Sequence, residues 1–156
     1  MDNLKFVEIL LIEDNPGDAR LTQEALKDGK VRNNLHIVYD GAEATDFLFK
    51  RNQYQDAPRP DLIILDLNLP KKNGQEVLAE IKTDNSLKSI PVIILTISKA
   101  EEDIIRSYNL HANCFLIKPL DLNQFFEVVK SIEDFWFTLV KLPKHDKIYM
   151  IIRLDT

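Results

Sequence analysis

Apolar residues along this chain form short runs of strand length, separated by stretches in which apolar positions recur every three or four residues. Four of the runs occupy residues 9–12, 62–65, 92–95 and 115–117, and a weaker one lies at 35–39. The first kind of pattern is typical of buried strands and the second of helices. Their alternation predicts an α/β fold built around a parallel sheet.

Capping residues mark several of the predicted helix boundaries. Asn15-Pro16 is typical of an N-cap followed by proline at the first helical position, Gly29 is typical of a helix end, and Asp40-Gly41 opens the next helix. The predicted helices run over residues 16–29, 41–50, 74–83, 99–109 and 121–140. Residues 52–60, with two prolines and several polar side chains, are predicted to form a loop.

Few topologies accommodate continuous apolar strands that alternate with helices, because crossovers between parallel strands are right-handed. The prediction is a doubly wound five-stranded parallel sheet with the strand order 2-1-3-4-5. Ligands of such sheets bind at the carboxyl ends of the first and third strands. Asp14 and Asp66 are the residues that those two strands deliver there.

The last predicted helix has the most regular apolar pattern in the chain. The positions expected to face the sheet are Leu122, Phe125, Val129, Ile132, Trp136 and Leu139. Further apolar residues widen this stripe, which indicates either contact with another protein chain or coverage by the tail. Residues 7–140 are predicted to be one domain, and 141–156 an extension without a separate output domain. Its apolar run at 148–152 is compatible with an extra strand, a docking segment or poorly ordered residues.

Composition narrows the class of protein. A chain of 156 residues suits one compact domain, and its net charge of −5 gives no support for non-specific binding to nucleic acid. The single cysteine, Cys114, cannot form an internal disulfide, and it is interpreted as a small core residue. Neither a signal peptide nor an apolar run of membrane-spanning length is recognisable. The expectation is a soluble cytoplasmic domain without a membrane or nucleic-acid partner.

Charged and hydroxyl side chains follow or close four of the predicted strands. They are Glu13, Asp14, Asp66, Thr96 and Lys118. Because carboxyl ends of parallel strands share one edge of a sheet, these groups are expected to converge there. Carboxylates with a hydroxyl and an ammonium describe a magnesium-dependent phosphoryl site, although each residue alone is also compatible with a cap, a turn or a strand position.

Each group has a definable role in such a site. Asp14 and Asp66 can ligate Mg²⁺ directly, the Asn68 carbonyl can add an oxygen, and Glu13 can hold a metal-bound water. A carboxylate is also a competent nucleophile towards phosphorus. The metal and the charge of Lys118 would offset repulsion between the carboxylates and an incoming phosphoryl group. The hydroxyl of the threonine that closes the predicted fourth strand can donate a hydrogen bond to a phosphoryl oxygen.

Over roughly residues 7–140 the chain resembles the receiver domain of two-component response regulators, which has a CheY-like, flavodoxin-like sheet. The resemblance is carried by Glu13-Asp14, Asp66-Leu-Asn-Leu-Pro70-Lys-Lys-Asn-Gly74, Thr96 and Lys118-Pro119. It implies that Asp66 accepts a phosphoryl group from a phosphohistidine on a sensor kinase, at a site that binds Mg²⁺. It also implies that Thr96 and Phe115 form a switch pair, and that the Lys118–Pro119 peptide is cis.

A narrower resemblance points to single-domain regulators paired with bacterial phytochrome kinases. It is carried by Glu13-Asp-Asn-Pro-Gly-Asp18, Lys30-Val-Arg-Asn-Asn34, Ala57-Pro-Arg-Pro-Asp61 and Phe135-Trp136. Those regulators lack a DNA-binding output domain, and many of their relatives serve other sensor kinases. The implied partner is therefore a sensor histidine kinase, with the phytochrome type as the narrower expectation.

Two positions depart from the receiver pattern. Phe115 stands where many receivers carry Tyr, so the switch ring cannot offer a hydroxyl. Ile97 stands where a small residue is usual, and we expect its bulk to slow phosphoryl exchange with small donors or water. Unchanged rates in Ile97→Ala would contradict that hypothesis.

Phosphorylation is expected to draw Thr96 and Lys118 onto the phosphoryl oxygens and to let Phe115 turn inward. That movement would bias the surface of helix four, strand five and helix five, with self-association or partner docking as the output. The chain is thus expected to be a phosphoacceptor and not an enzyme, with slow self-dephosphorylation.

Three alternatives share part of the pattern. A magnesium-dependent phosphohydrolase would need an acid/base Asp two residues after Asp66, where Asn68 stands. An FMN-binding protein would need a polar phosphate loop in place of Glu13-Asp14. A receiver-fold adaptor independent of phosphorylation would not need these site residues, all of which are present.

Overall fold

The computed structural model describes residues 6–27, 32–96, 100, 114–117, 123–124, 127 and 131. The strands are β1 (Val7–Ile12), β2 (Asn33–Val38), β3 (Leu62–Asp66), β4 (Val92–Thr96) and β5 (Cys114–Ile117). The helices are α1 (Pro16–Lys27), α2 (Gly41–Leu48) and α3 (Gly74–Thr83), with a short 3₁₀ helix at Asn52–Tyr54. No helix within these residues combines the length and the apolar character that a membrane span requires.

The five strands form one parallel sheet in the order β2-β1-β3-β4-β5, which confirms the predicted topology. Ile12 lies opposite both Val38 and Leu65, and Asp66 lies opposite Leu95. The strands therefore reach their carboxyl ends at a common level. We call this side of the sheet the carboxyl edge, and the side at which the strands begin the amino edge.

Two apolar cores cover the two faces of the sheet. Alternate residues of β1 point to opposite faces, so Leu10 and Ile12 join one core, while Ile9 and Leu11 join the other. The first core includes residues of α2 and α3, and the second includes residues of α1. Helices thus pack on both faces, as in a doubly wound fold.

Capping contacts begin the helices where the sequence pattern predicted. The side-chain oxygen of Asn15 accepts a hydrogen bond from the Asp18 amide at 3.0 Å, and Asp40 accepts one from the Glu43 amide at 2.7 Å. Asn73 forms a reciprocal capping box with Glu76 at the start of α3. These bonds satisfy amides that have no partner inside the helix.

Several boundaries differ from the prediction. β1 and β2 each begin two residues earlier than the apolar runs indicated, and β2 ends at Val38. α2 ends at Leu48, because Lys50 adopts a positive φ angle of 56°, which an α-helix does not accommodate. The predicted loop at 52–60 includes a 3₁₀ turn.

Other predictions concern regions with little or no described structure. Residue 100 is the only described position of the predicted fourth helix. In the predicted fifth helix, positions 123, 124, 127 and 131 are helical and exposed. The apolar stripe of that helix and the tail at 141–156 lie outside the described residues, so their proposed roles stay predictions.

Candidate functional site

Three carboxylates meet at the carboxyl edge. Glu13 and Asp14 directly follow β1, and Asp66 closes β3, the neighbouring strand. One oxygen from each of the three lies within 4.8 Å of the others. Glu13 and Asp66 are 0% and 1% exposed, whereas Asp14 is exposed to solvent. The sheet therefore brings together an acidic group that is open on one side.

The backbone after β1 is held at a fixed corner. The Glu13 amide donates to the Val38 carbonyl at 3.0 Å, which extends the pairing with β2 beyond the strand. The Glu13 carboxylate in turn accepts the Asn15 amide at 3.3 Å, and Asn15 caps α1. The acidic pair is thus placed between the end of a central strand and the start of a helix.

Asp66 is oriented by the loop that follows it, residues 67–73. Its Oδ1 accepts a hydrogen bond from the Asn68 amide at 2.9 Å. The Leu67 amide donates to the Leu95 carbonyl at 3.0 Å, so pairing with β4 also continues one residue beyond the strand. These bonds hold the carboxylate where β3 ends and present the Asn68 backbone beside it.

Gly74 lies against the backbone of the candidate site. A Cβ at this position would stand 2.5 Å from Leu67 Cα and 2.6 Å from the Asp66 carbonyl oxygen, so no larger residue fits without movement. The Gly74 amide donates to the Leu67 carbonyl at 3.1 Å. The start of α3 is therefore packed directly on the residue that follows Asp66.

The donor set suits a hard divalent cation. Three carboxylates this close repel one another, and a bound cation would offset the repulsion. Hard cations of this kind prefer oxygen ligands, and these side chains supply only oxygen. The residues present therefore fit a metal ion held between the ends of β1 and β3.

The remaining predicted site residues are described in part or not at all. Thr96 closes β4 opposite Ile117, and Phe115 lies in β5 opposite Ile94, so the backbone of both is on strands next to the site. Nothing beyond the backbone is described for either. Lys118, Pro119 and Ile97 lie outside the described residues, and their roles stay predictions.

A contact between α2 and the loop at 67–73 was not predicted. Gly41, at the start of α2, approaches Lys72 so closely that a Cβ on Gly41 would stand 1.8 Å from the Lys72 carbonyl oxygen. The Lys72 ammonium donates to the Thr45 hydroxyl of α2 at 3.1 Å. The one available sequence signal was the Asp40-Gly41 pair, which was interpreted only as the opening of a helix.

A partly buried tyrosine also supports α2. The Tyr54 hydroxyl donates to the Glu43 carboxylate in the first turn of α2, and the Tyr54 ring packs on Phe47 with centroids 5.2 Å apart. Burial, and to a smaller extent this bond to an anionic partner, raises the pKa of Tyr54 to about 12. The Glu43 carboxylate also accepts the Tyr39 amide at 2.9 Å, so α2 is anchored at the end from which it contacts the loop.

Comparison with known protein families identifies the class. The response regulator receiver domain matches residues 9–130, and the chain therefore belongs to this family. The resemblance inferred from the motifs is confirmed. The chain is a response regulator, a component of phosphorelay signalling.

The similar proteins include regulators linked to phytochromes. Response regulator Rcp1 of Synechocystis sp. is 52% identical over 135 residues, which span 86% of this chain and 92% of that protein. The crystal structure of the phosphorylated cyanobacterial phytochrome response regulator RcpA superposes with a TM-score of 0.75 at 51% identity, covering 90% of this chain and all of the other. The Mn²⁺-bound form of Rcp1 gives 0.74 at 51% identity, covering 88% and 99%.

Proposed function

We propose that Asp66 accepts a phosphoryl group from the phosphohistidine of a sensor histidine kinase, and that the phosphorylated chain signals by changed protein–protein contact. The observation that carries this proposal is the position of Asp66. It is 1% exposed, oriented by the Asn68 amide, and within 4.8 Å of two other carboxylates at the carboxyl edge. A carboxylate held in this way can act as a nucleophile if cationic charge is supplied beside it.

Mg²⁺ is the proposed cofactor. Asp14, Asp66 and the Asn68 carbonyl would be its ligands, and Glu13 would act through a bound water, since Mg²⁺ usually retains several waters. The existence of a Mn²⁺-bound form of the relative Rcp1 supports a divalent cation as cofactor. When bound, the ion supplies positive charge that lowers repulsion between the carboxylates and the phosphoryl oxygens.

The transfer itself balances without another reactant. A carboxylate oxygen of Asp66 forms a bond to phosphorus while the phosphorus–nitrogen bond of phosphohistidine breaks, and the electron pair of that bond remains on the imidazole nitrogen. The Asn68 amide keeps the carboxylate oriented through its bond to Oδ1. Lys118 and Thr96 are proposed to contact the phosphoryl oxygens.

The output is proposed to follow from a switch involving Thr96 and Phe115, on the neighbouring strands β4 and β5. Its binding face would comprise β5 and the predicted fourth and fifth helices, with a homodimer through the fifth helix as one form of contact. Residues 7–140 would form the receiver domain and 141–156 an extension. The kinase is proposed to be of the phytochrome type, because Rcp1 and RcpA are similar to this chain, and the proposed location is the cytoplasm.

Intact-mass spectrometry after incubation with Mg²⁺ and acetyl phosphate tests the proposal. The wild type should gain a single phosphoryl adduct, which should be absent from Asp66→Asn and from a sample containing EDTA. Asp56→Asn is the matched control, because it makes the same substitution at an exposed loop position and should be phosphorylated normally. An adduct that persists in Asp66→Asn would contradict the assignment of the acceptor. Absence of an adduct, with metal binding intact, would leave two cases: a site closed to small donors by Ile97, or an adaptor independent of phosphorylation.

A further inference from the structure

Lys72 links both helices that border the loop after Asp66. Its ammonium donates to the Thr45 hydroxyl of α2 at 3.1 Å and forms an ion pair with Glu80 of α3. Thr45 is itself buried at 7% exposure, and its hydroxyl donates to the Gly41 carbonyl at 3.0 Å. The Lys72 side chain is 26% exposed, so these bonds are partly shielded from water. We call Gly41, Thr45, Lys72 and Glu80 the loop clamp.

The neighbouring lysine provides a contrast within the same loop. Lys71 adopts a φ of 66°, and its side chain is 71% exposed. It pairs with Asp40 at 3.4 Å, an arrangement that contributes little because water and salt screen exposed pairs. Two adjacent residues thus carry the same charge, yet only Lys72 is held between two helices.

The loop clamp acts on the middle of a segment whose two ends belong to the candidate site. At one end the Asn68 amide bonds Asp66, and at the other the Gly74 amide bonds the Leu67 carbonyl. Between them, the Lys72 amide donates to the Pro70 carbonyl at 2.8 Å, which closes a tight turn. A shift of this turn would therefore displace the Asn68 backbone and the orientation of Asp66.

We infer that Lys72 is a positioning residue, which through the loop clamp holds the loop at 67–73 in the geometry that metal binding and phosphoryl acceptance require. The part of this inference that concerns phosphoryl acceptance rests on the proposed function. The part that concerns metal binding rests only on the group of three carboxylates. Residues that orient a metal site from outside its ligand set typically change affinity by about 10–100-fold when removed. The close contact of Gly41 with the Lys72 backbone also holds the loop in this geometry, because it leaves no room for a side chain at position 41.

The test compares Lys72→Met with Lys71→Met, because both delete one charge from the same loop and keep an unbranched side chain. Free Mn²⁺ measured by electron paramagnetic resonance gives the dissociation constant of the metal alone. Lys72→Met should weaken Mn²⁺ binding about 10-fold, and Lys71→Met by less than about 2-fold. Hydrogen exchange of the Asn68 and Gly74 amides in metal-free protein should accelerate in Lys72→Met only. Lys72→Arg, which keeps the positive charge and hydrogen-bond donors, should restore most of the affinity.

The outcomes separate this inference from the proposed function. A Lys72→Met variant that unfolds at a lower temperature but keeps wild-type Mn²⁺ affinity and amide exchange would overturn the positioning role. Equal weakening in both lysine variants would also overturn it, because the effect would then be one of charge. If the wild type accepts no phosphoryl group, the proposed function fails, yet the Mn²⁺ and exchange measurements still decide the role of Lys72.

Gly41→Ala provides a second, independent approach to the loop clamp. Its Cβ would collide with the Lys72 carbonyl, so the loop must move, and Mn²⁺ affinity should fall at least as far as in Lys72→Met. Gly17→Ala is the matched control, because its Cβ would meet only Asn15 Oδ1 at 3.2 Å. Unchanged Mn²⁺ affinity in a folded Gly41→Ala variant would contradict the inference. If Gly41→Ala does not fold, the comparison of the two lysine variants decides.

Discussion

Charged side chains are arranged differently at the two edges of the sheet. At the carboxyl edge, Glu13, Asp14 and Asp66 bring three like charges within 4.8 Å of one another. At the amino edge, charged groups have hydrogen-bonding partners: the Glu8 carboxylate accepts bonds from Asn34 at 3.0 Å and from His36 at 2.8 Å. These bonds outweigh the opposing effect of burial and lower the pKa of Glu8.

The turn that leads into β4 shows the same behaviour at the amino edge. The Lys82 ammonium donates to the Lys88 and Ile90 carbonyls at 3.2 and 3.0 Å, and Arg59 donates to the Ser86 carbonyl at 2.9 Å. Backbone carbonyls of an irregular segment are thereby satisfied by side chains. Charged groups at the amino edge thus have hydrogen-bonding partners, whereas three like charges lie together at the carboxyl edge, where a bound cation would offset their repulsion.

The largest expected effect arises from overpacking the carboxyl edge with Gly74→Ala. The new Cβ would lie 2.5 Å from Leu67 Cα, and we expect a loss of about 1–3 kcal/mol in the free energy of unfolding, together with weaker Mn²⁺ binding. Urea unfolding and Mn²⁺ titration measure the two effects. Gly17→Ala, in the first turn of α1, should change both by much less. Similar losses in the two glycine variants would contradict a close contact specific to Gly74.

The next effect concerns pH and Lys82 at the amino edge. Burial lowers the pKa of Lys82 from 10.5 to about 8. Between these values the unfolded chain binds more protons at this position than the folded chain does, so stability rises with pH. The wild type should therefore gain stability relative to Lys82→Met as the pH increases from 8 to 10.5.

Urea unfolding of both proteins at the two ends of that pH range measures this gain. Lys88→Met is the control, because Lys88 is exposed and its ammonium donates to the exposed Asn85 side chain at 3.2 Å. Its difference from the wild type should not change across the range. A constant difference for Lys82→Met would show that its ammonium is not disfavoured by burial.

The smallest effect tests repulsion at the carboxyl edge directly. Asp14→Asn removes one of the three charges and should raise the stability of the metal-free protein by about 0.5–1 kcal/mol, a gain limited because Asp14 is exposed. With saturating Mn²⁺ the order should reverse, since the wild type binds the ion more tightly. Thermal unfolding with and without Mn²⁺ measures both. If Asp56→Asn stabilises the metal-free protein equally, the effect arises from net charge and not from the cluster of three carboxylates.

Part of this molecule was predictable from local patterns. Alternating strand and helix periods led to the five-stranded order, because right-handed crossovers leave few ways to arrange such a chain. The convergence of Glu13, Asp14 and Asp66 was also predictable, since parallel strands deliver their final residues to one edge. The roles of these residues in binding Mg²⁺ and phosphate stay predictions that the experiments above address.

Other features could not be read from the chain. α2 ends before its predicted boundary, because Lys50 adopts a positive φ angle of 56° that apolar spacing does not reveal. The bond from Lys72 to Thr45 joins positions 27 residues apart on different elements. No periodicity relates two such positions, so their contact was not predicted.

The sequence by itself determined the fold class, the strand order and the edge at which the carboxylates gather, because each depends on hydrophobic periodicity and on residues adjacent to strand ends. Only the tertiary structure decided which of two adjacent lysines is held between helices and why Gly41 must lack a side chain. Those properties depend on distances between elements that are remote in the chain. Such distances are set by packing of the two cores against the sheet.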